Sequence, residues 1–205
     1  MTHAEGAKSL SHSRKAVGKR DAILRAAIEI INAKSFALAT MTEIAATLDL
    51  RDAALYYYFP NKQALVHACH IRSLERFEAL LREADAAGNS GLAKLEHFLR
   101  ALLRDSARNG PQLYFGDHSY LDDPQRQAVA AWGERLSGML EAFLLEGMAD
   151  GSIVPCEADL VVQLLLGMLI WLAKWVPTVE GMTVDRLMTA IGVVSLSGLR
   201  RRAGS

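Results

Sequence analysis

An all-α fold is predicted by three observations. Apolar residues recur at three- and four-residue spacing through most of the 205-residue chain, no run of useful length alternates in the manner of a strand, and Gly, Pro and capping residues punctuate the pattern at helix-length intervals. With 51% hydrophobic and 22% charged residues the chain has the composition of a packed protein rather than a disordered one. Its length accommodates one large domain or two small ones.

The first helix is marked by Ile23, Leu24, Ala27, Ile28 and Ile31 and should end near Lys34. Two short helical pieces follow, about 40–48 and 53–59, separated by a tight turn. The run Thr40-Met41-Thr42-Glu43-Ile44-Ala45 has the form of a capping box, in which Thr40 accepts from the amide of Glu43 and the Glu43 side chain reaches back. Pro60 stops the second piece because it lacks a donor and clashes with the preceding turn. Asn61 then offers an N-cap for a long helix with Leu74, Phe77, Leu81 and Ala84 on one stripe.

Residues 88–91 break the chain, and Leu92, Leu95, Leu99 and Leu102 define an amphipathic helix ending by Asn109, Gly110 and Pro111. An irregular stretch with Leu113, Tyr114, Phe115, Asp117, His118 and Tyr120 leads to Asp123, expected as the N-cap of a helix whose first position is Pro124. That helix runs through Trp132, Leu136, Met139, Leu140 and Phe143 to Asp150-Gly151. Two more complete the chain: one from about Glu157 to Val176, stopped by Pro177, and one after Thr183 carrying Leu187, Ile191, Val194, Leu196 and Leu199.

Charge is balanced overall, with 23 Lys and Arg against 23 Asp and Glu, but not locally. Residues 1–20 hold Lys8, Arg14, Lys15, Lys19 and Arg20 against Glu5 alone, an asymmetry suited to a nucleic acid or another anionic surface. Residues 1–13 are read as a basic flexible arm. Cys69 and Cys156 show neither disulfide-framework nor metal-ligand spacing, and the N-terminus has no apolar core of a signal peptide, so a reducing cytoplasm is expected. The stretch 160–176 is interrupted only by Gln163, Gly167 and Lys174, yet it falls short of the ~20 apolar residues of a membrane span. A core or interface helix is the simpler expectation.

Two short helices over a tight turn make a helix-turn-helix, whose second helix can enter a DNA major groove. Ile44, Ala45, Leu48, Leu50, Leu55 and Phe59 would face inward, leaving Arg51, Asp52, Ala54, Tyr57 and Tyr58 on the outer face. Tyrosine hydroxyls can donate to phosphates, and Lys62 supplies a compact cation. Asp52 is acidic beside the groove, and either caps its helix or accepts from a cytosine amino group.

The run from Arg20 to Leu65, above all Thr40-Met41-Thr42-Glu43-Ile44-Ala45 and Leu55-Tyr56-Tyr57-Tyr58-Phe59-Pro60-Asn61-Lys62-Gln63-Ala64-Leu65, resembles the DNA-binding domain of the TetR family of transcriptional regulators. The resemblance implies a nine-helix plan in which the helix of residues 51–58 reads the groove, Tyr56 and Lys62 touch the backbone, and the last two helices form a homodimer. The candidate DNA contacts are Lys19, Thr40, Thr42, Arg51, Asp52, Ala54, Tyr56, Tyr57, Tyr58 and Lys62. Three features depart from the family pattern: Asp49 stands where glycine is common in the turn, Arg51, Ala53 and Ala54 stand where hydroxyl residues are common, and Asp52 adds a negative charge. Aspartate tolerates a left-handed turn better than most residues.

The domain organisation is therefore read as an arm (1–13), a helix-turn-helix DNA-binding domain (14–62) and a larger helical ligand-binding and dimerisation domain (63–205). In the last, Leu99, Leu103, Phe115, Trp132, Phe143, Met168, Trp171 and Trp175 supply large apolar surface for a ligand, with Asp117, His118 and Tyr120 as orienting polar groups. The Trp-rich penultimate helix is similar to that of family members answering to acyl-CoA esters or lipid-like metabolites, which implies a hydrophobic effector. Small residues in the final helix (Ala190, Gly192, Ser195, Ser197, Gly198) suit close packing in a four-helix dimer interface. No phosphate loop, nucleophile elbow or metal-binding Cys pair is present, so neither an enzyme nor a cofactor is expected. His67 and His70 share a helix face without a third ligand and read as surface histidines. The expected function is a ligand-released repressor bound to a palindromic operator; the alternative is a helical small-molecule-binding protein without specific DNA recognition.

Overall fold

A computed structural model of the protein describes residues 3–113, 118–196 and 199, with side chains from residue 17 onward apart from that of residue 177. The described residues form eight α-helices and no strand: α1 His3–Lys34, α2 Met41–Thr47, α3 Asp52–Tyr58, α4 Lys62–Ala87, α5 Gly91–Asn109, α6 Asp123–Asp150, α7 Ala158–Trp175 and α8 Val184–Ile191. A wider π-type turn, Gly192–Leu196, continues α8. The resemblance implied nine helices; the interval between α5 and α6 adds none among the described residues. Because α1 begins at His3, the backbone of the segment expected to be an arm is helical from that residue on.

The chain divides into two compact units, 1–69 and 70–205, with the division inside α4 between Cys69 and His70. In the first unit α1 buries Ile23, Leu24, Ala27, Ile28 and Ile31, the predicted stripe. It ends where Ser35 adopts a positive φ of 77° and donates its amide to the Ile31 carbonyl at 2.9 Å. Leu65, Val66 and Cys69 from the first turns of α4 are fully buried here, and the Cys69 thiol lies 3.7 Å from the Leu24 carbonyl that accepts from it. Asn61 caps α4 as expected, its side chain accepting from the Ala64 amide at 2.8 Å.

The second unit is built on Phe77, Leu81, Leu95, Phe98, Leu99, Leu136, Leu140 and Leu144, all under 2% exposed, with Phe77 and Phe98 edge to face at 4.9 Å. Glycines set how closely α5 and α6 approach: a Cβ on Gly91 would lie 2.2 Å from both the Gly147 nitrogen and the Phe143 carbonyl oxygen. The same junction is tied by Asp150, which accepts from the Gly91 amide at 2.8 Å. Helix α6 starts one residue earlier than expected: Asp122, not Asp123, is the N-cap, accepting from the Gln125 amide at 2.9 Å, so that Pro124 falls inside the first turn. Its end is the predicted left-handed glycine, Gly151 at φ 79°.

Glu78 on α4 binds three donors, Trp132 Nε1 (2.7 Å), Arg82 (2.6 Å) and Arg135 (2.9 Å), and so fixes α4 against α6. Burial acts to raise its carboxyl pKa, but the bonds from Trp132, Arg82 and Arg135 outweigh it and hold the group below the usual carboxylate range.

The glycine contacts and the Glu78 cluster can each be tested by substitution. Gly91→Ala should lower the unfolding free energy by about 3 kcal/mol because backbone must move, whereas Gly138→Ala, with open space around the added Cβ, should be neutral or stabilising by up to about 1 kcal/mol; denaturant melts measure both. Because the Glu78 pKa is depressed in the folded chain, its contribution is present above the unfolded value near 4.5 and lost as pH falls through the folded value. Glu78→Gln should therefore flatten the acid limb of the stability–pH curve.

Candidate nucleic-acid interface

Helix α2 is started by Thr40, whose hydroxyl oxygen accepts from the Glu43 amide at 3.1 Å. The reciprocal half of the capping box is not the one formed: the Glu43 carboxylate pairs with Lys34 at the end of α1, where a cation also suits the helix dipole. The turn after α2 passes through Asp49 at φ 53°, the left-handed conformation expected of it, while Leu50 donates its amide back to the Ala45 carbonyl at 2.9 Å. This turn lays α3 across α2.

What α3 buries decides what it shows. Leu55, like Ile44 and Ala45 of α2, is fully buried, and Phe59, the C-cap, is 3% exposed beneath the Arg20 guanidinium at 5.0 Å. Arg51, Asp52, Tyr56 and Tyr57 stand in solvent, with Tyr57, most nearly opposite Leu55, 85% exposed. Tyr58 is half-buried and meets the Tyr57 ring edge on at 5.3 Å; Ala54 is also half-buried. Asp52 does not cap its helix: the N-cap is Arg51, without a side-chain bond, and the Asp52 carboxylate instead accepts from the exposed Thr42 hydroxyl at 2.7 Å.

The other expected contacts are placed differently. Lys62 is half-buried, its ammonium 4.1 Å from the centre of the Phe36 ring and 3.4 Å from the Ala37 carbonyl, and burial lowers its pKa. Lys19 lies half-buried on α1, and Thr40 is exposed at the start of α2.

In the second unit the expected ligand-site residues fall into three groups. Leu99, Leu103 and Phe143 are buried in the core, with Trp132, Met168 and Trp175 packed against it. His118 and Tyr120 lie beside α4, where Tyr120 shares a 2.8 Å hydrogen bond with His70. His70 is thus 2% exposed and not a surface histidine as the sequence suggested. Phe115, like Tyr114 and Asp117, lies outside the described residues. Trp171 does not join the core group: it is 64% exposed, on a stripe of α7 with Leu160, Gly167 and Leu164, the last 75% exposed. Sequence reasoning missed this split because α7 is apolar nearly all round, so no polar face marks its outer side. Val193 and Val194, at the end of the following helix, are also exposed. By length and composition alone α7 could cross a membrane. No group of three or more His, Cys, Asp or Glu residues able to hold a metal occurs among the described residues.

The sequence matches two family models: that of bacterial regulatory proteins of the tetR family over residues 23–69, and that of the tetracyclin repressor-like C-terminal domain over residues 88–198. No curated protein matches it. Among solved structures, a TetR family transcriptional regulator, PfmR from Thermus thermophilus, is 23% identical with a TM-score of 0.71, over 87% of this chain and 99% of that one. The ketosteroid transcriptional regulator KstR2 of Mycobacterium tuberculosis is 16% identical with a TM-score of 0.73, over 90% and 96%. AibR in complex with isovaleryl coenzyme A and operator DNA is 22% identical with a TM-score of 0.69, over 85% and 97%.

Local stability and exposure separate cleanly here. Thr40→Ala should cost about 1 kcal/mol through loss of the cap, while Tyr57→Ala should change the unfolding free energy by less than about 0.5 kcal/mol, both read from denaturant melts.

Proposed function

Since the chain belongs to the tetR family of bacterial regulatory proteins, we propose that it is a cytoplasmic, ligand-responsive repressor that binds a palindromic operator as a homodimer. The observation that carries this reading is the outward face of α3, where Arg51, Asp52, Tyr56 and Tyr57 stand in solvent on a helix anchored from behind by Leu55. Such a face fits the major groove, with tyrosine hydroxyls and the cations Lys19 and Lys62 turned to phosphates on either side. Lys62 would have to leave the Phe36 ring to do so. Two subunits would place their α3 helices about one helical turn apart, ~34 to 36 Å.

The dimer is proposed through α7 and the last helix. Leu160, Leu164, Gly167 and Trp171 fall within roughly 60° of arc at the α-helical repeat, and an exposed apolar stripe of this kind marks an association surface. A second copy presenting the same stripe gives an isologous four-helix contact. Trp171 is accordingly assigned to the dimer rather than to the ligand.

The proposed effector is a small hydrophobic molecule, of the acyl-CoA or lipid-like class, bound among Leu99, Leu103, Trp132, Phe143, Met168 and Trp175, with His118 and Tyr120 as its polar contacts. The acyl-CoA complex of AibR supports the class. Release of DNA requires that the effector favour a dimer with wrongly spaced α3 helices, since only differential affinity shifts such an equilibrium.

Selection of bound duplexes from random DNA tests the reading: a palindrome should emerge, and affinity for it should fall ~10³ to 10⁵-fold between 50 and 200 mM salt if roughly 6 to 10 phosphates are contacted. No enriched sequence would leave a helical ligand-binding protein that does not recognise DNA. Leu164→Glu should shift the protein from dimer to monomer in sedimentation velocity while its helical circular dichroism is unchanged; a dimer that persists contradicts the assigned interface.

A further inference from the structure

We infer that Asp52 is a specificity-determining residue that requires a cytosine amino group in the major groove of each half-site, and that Thr42 is the positioning residue for its carboxylate. The inference rests on the DNA-reading role proposed above and adds which base is read.

A carboxylate is an unfavourable group on a surface that meets a polyanion. It is repelled by the phosphates and offers only acceptors, so it is tolerated where a donor faces it and penalised elsewhere. In the major groove guanine presents two acceptors, thymine an acceptor and a methyl group, and adenine an amino group beside its N7 acceptor. Cytosine alone presents an amino donor with no acceptor on the same base edge.

The position of Asp52 fits that use. It is the first residue of α3 and is exposed, and the leading residues of a recognition helix are those that reach base edges. Its own helix makes no use of it as a cap. The Thr42 hydroxyl donates to Oδ2 at 2.7 Å, which fixes the plane of the carboxylate and occupies one oxygen. Among the described residues no hydrogen bond reaches Oδ1, which is left to accept. Arg51, exposed beside it, offsets part of the repulsion from phosphates without supplying a donor to the base that Asp52 reads.

The test repeats the random-duplex selection with the full-length wild type and with Asp52→Ala, Asp52→Asn, Thr42→Val and Thr42→Ser, each checked by thermal unfolding. The wild type should enrich a palindrome with a C·G pair at one symmetric position, where the other pairs bind about tenfold more weakly. Asp52→Ala should retain the palindrome and lose that preference. Asp52→Asn should move it to adenine, because an amide pairs with N6 and N7 together. Thr42→Val should keep cytosine with a smaller ratio, and Thr42→Ser should restore it; a merely structural link between α2 and α3 would lower the melting temperature without altering the base preference. If the wild type and Asp52→Ala select the same palindrome with the same preferences, the inference is overturned and the DNA-reading role stands. If the wild type selects nothing, the DNA-reading role fails and the inference with it. Should Asp52→Ala not fold, the adenine shift of the isosteric Asn variant decides the same question, and its absence counts against the role of Asp52.

Discussion

The outward face of α3 is set by one buried side chain and one backbone turn. Leu55 has no solvent exposure, and Asp49 takes the left-handed conformation that brings α3 across α2. A helix of seven residues has too few internal hydrogen bonds to persist alone, so α3 exists because Leu55 and Phe59 are buried. Rotating it by a single residue, about 100°, would withdraw Leu55 from the core and turn Tyr56 inward. The arrangement of Arg51, Asp52, Tyr56 and Tyr57 is therefore a consequence of the hydrophobic packing behind them, and the turn chemistry decides only which way the helix crosses.

The second unit obeys the opposite logic on its outer side. Its core is held by close approach, Gly91 against the backbone of α6, and by Glu78 gathering donors from α4 and α6. Yet α7 leaves Leu160, Leu164 and Trp171 in solvent. α7 is thus apolar on a buried side that serves the core and on an outer side, the one proposed above to meet a second copy.

Much of this was legible in the sequence because it is local. The α1 stripe, the Thr40 and Asn61 caps, the Phe59-Pro60 stop, the left-handed turn at Asp49 and the glycine end of α6 each depend on a few neighbouring residues, and each occurs as read. The capping box was half right, since the Glu43 carboxylate found Lys34, a partner nine residues away that no local motif announces. Asp52 was left between capping and base reading; its actual partner, Thr42, lies on the preceding helix and depends on how α2 and α3 cross. His70 was misjudged, and the exposure of Trp171 was not foreseen, for a shared reason. Helical periodicity shows that a residue lies on an apolar or polar stripe, but which neighbour covers that stripe is a tertiary fact: Trp171 faces outward and His70 inward, against Tyr120.

The central claim is that two α3 faces read successive major grooves. It is tested most directly by methylation interference on a selected duplex, since methyl groups at guanine N7 project into the major groove. Two patches of interference centred roughly 10 to 10.5 base pairs apart on one side of the duplex are the predicted result. A single patch, or binding indifferent to N7 methylation, would contradict it.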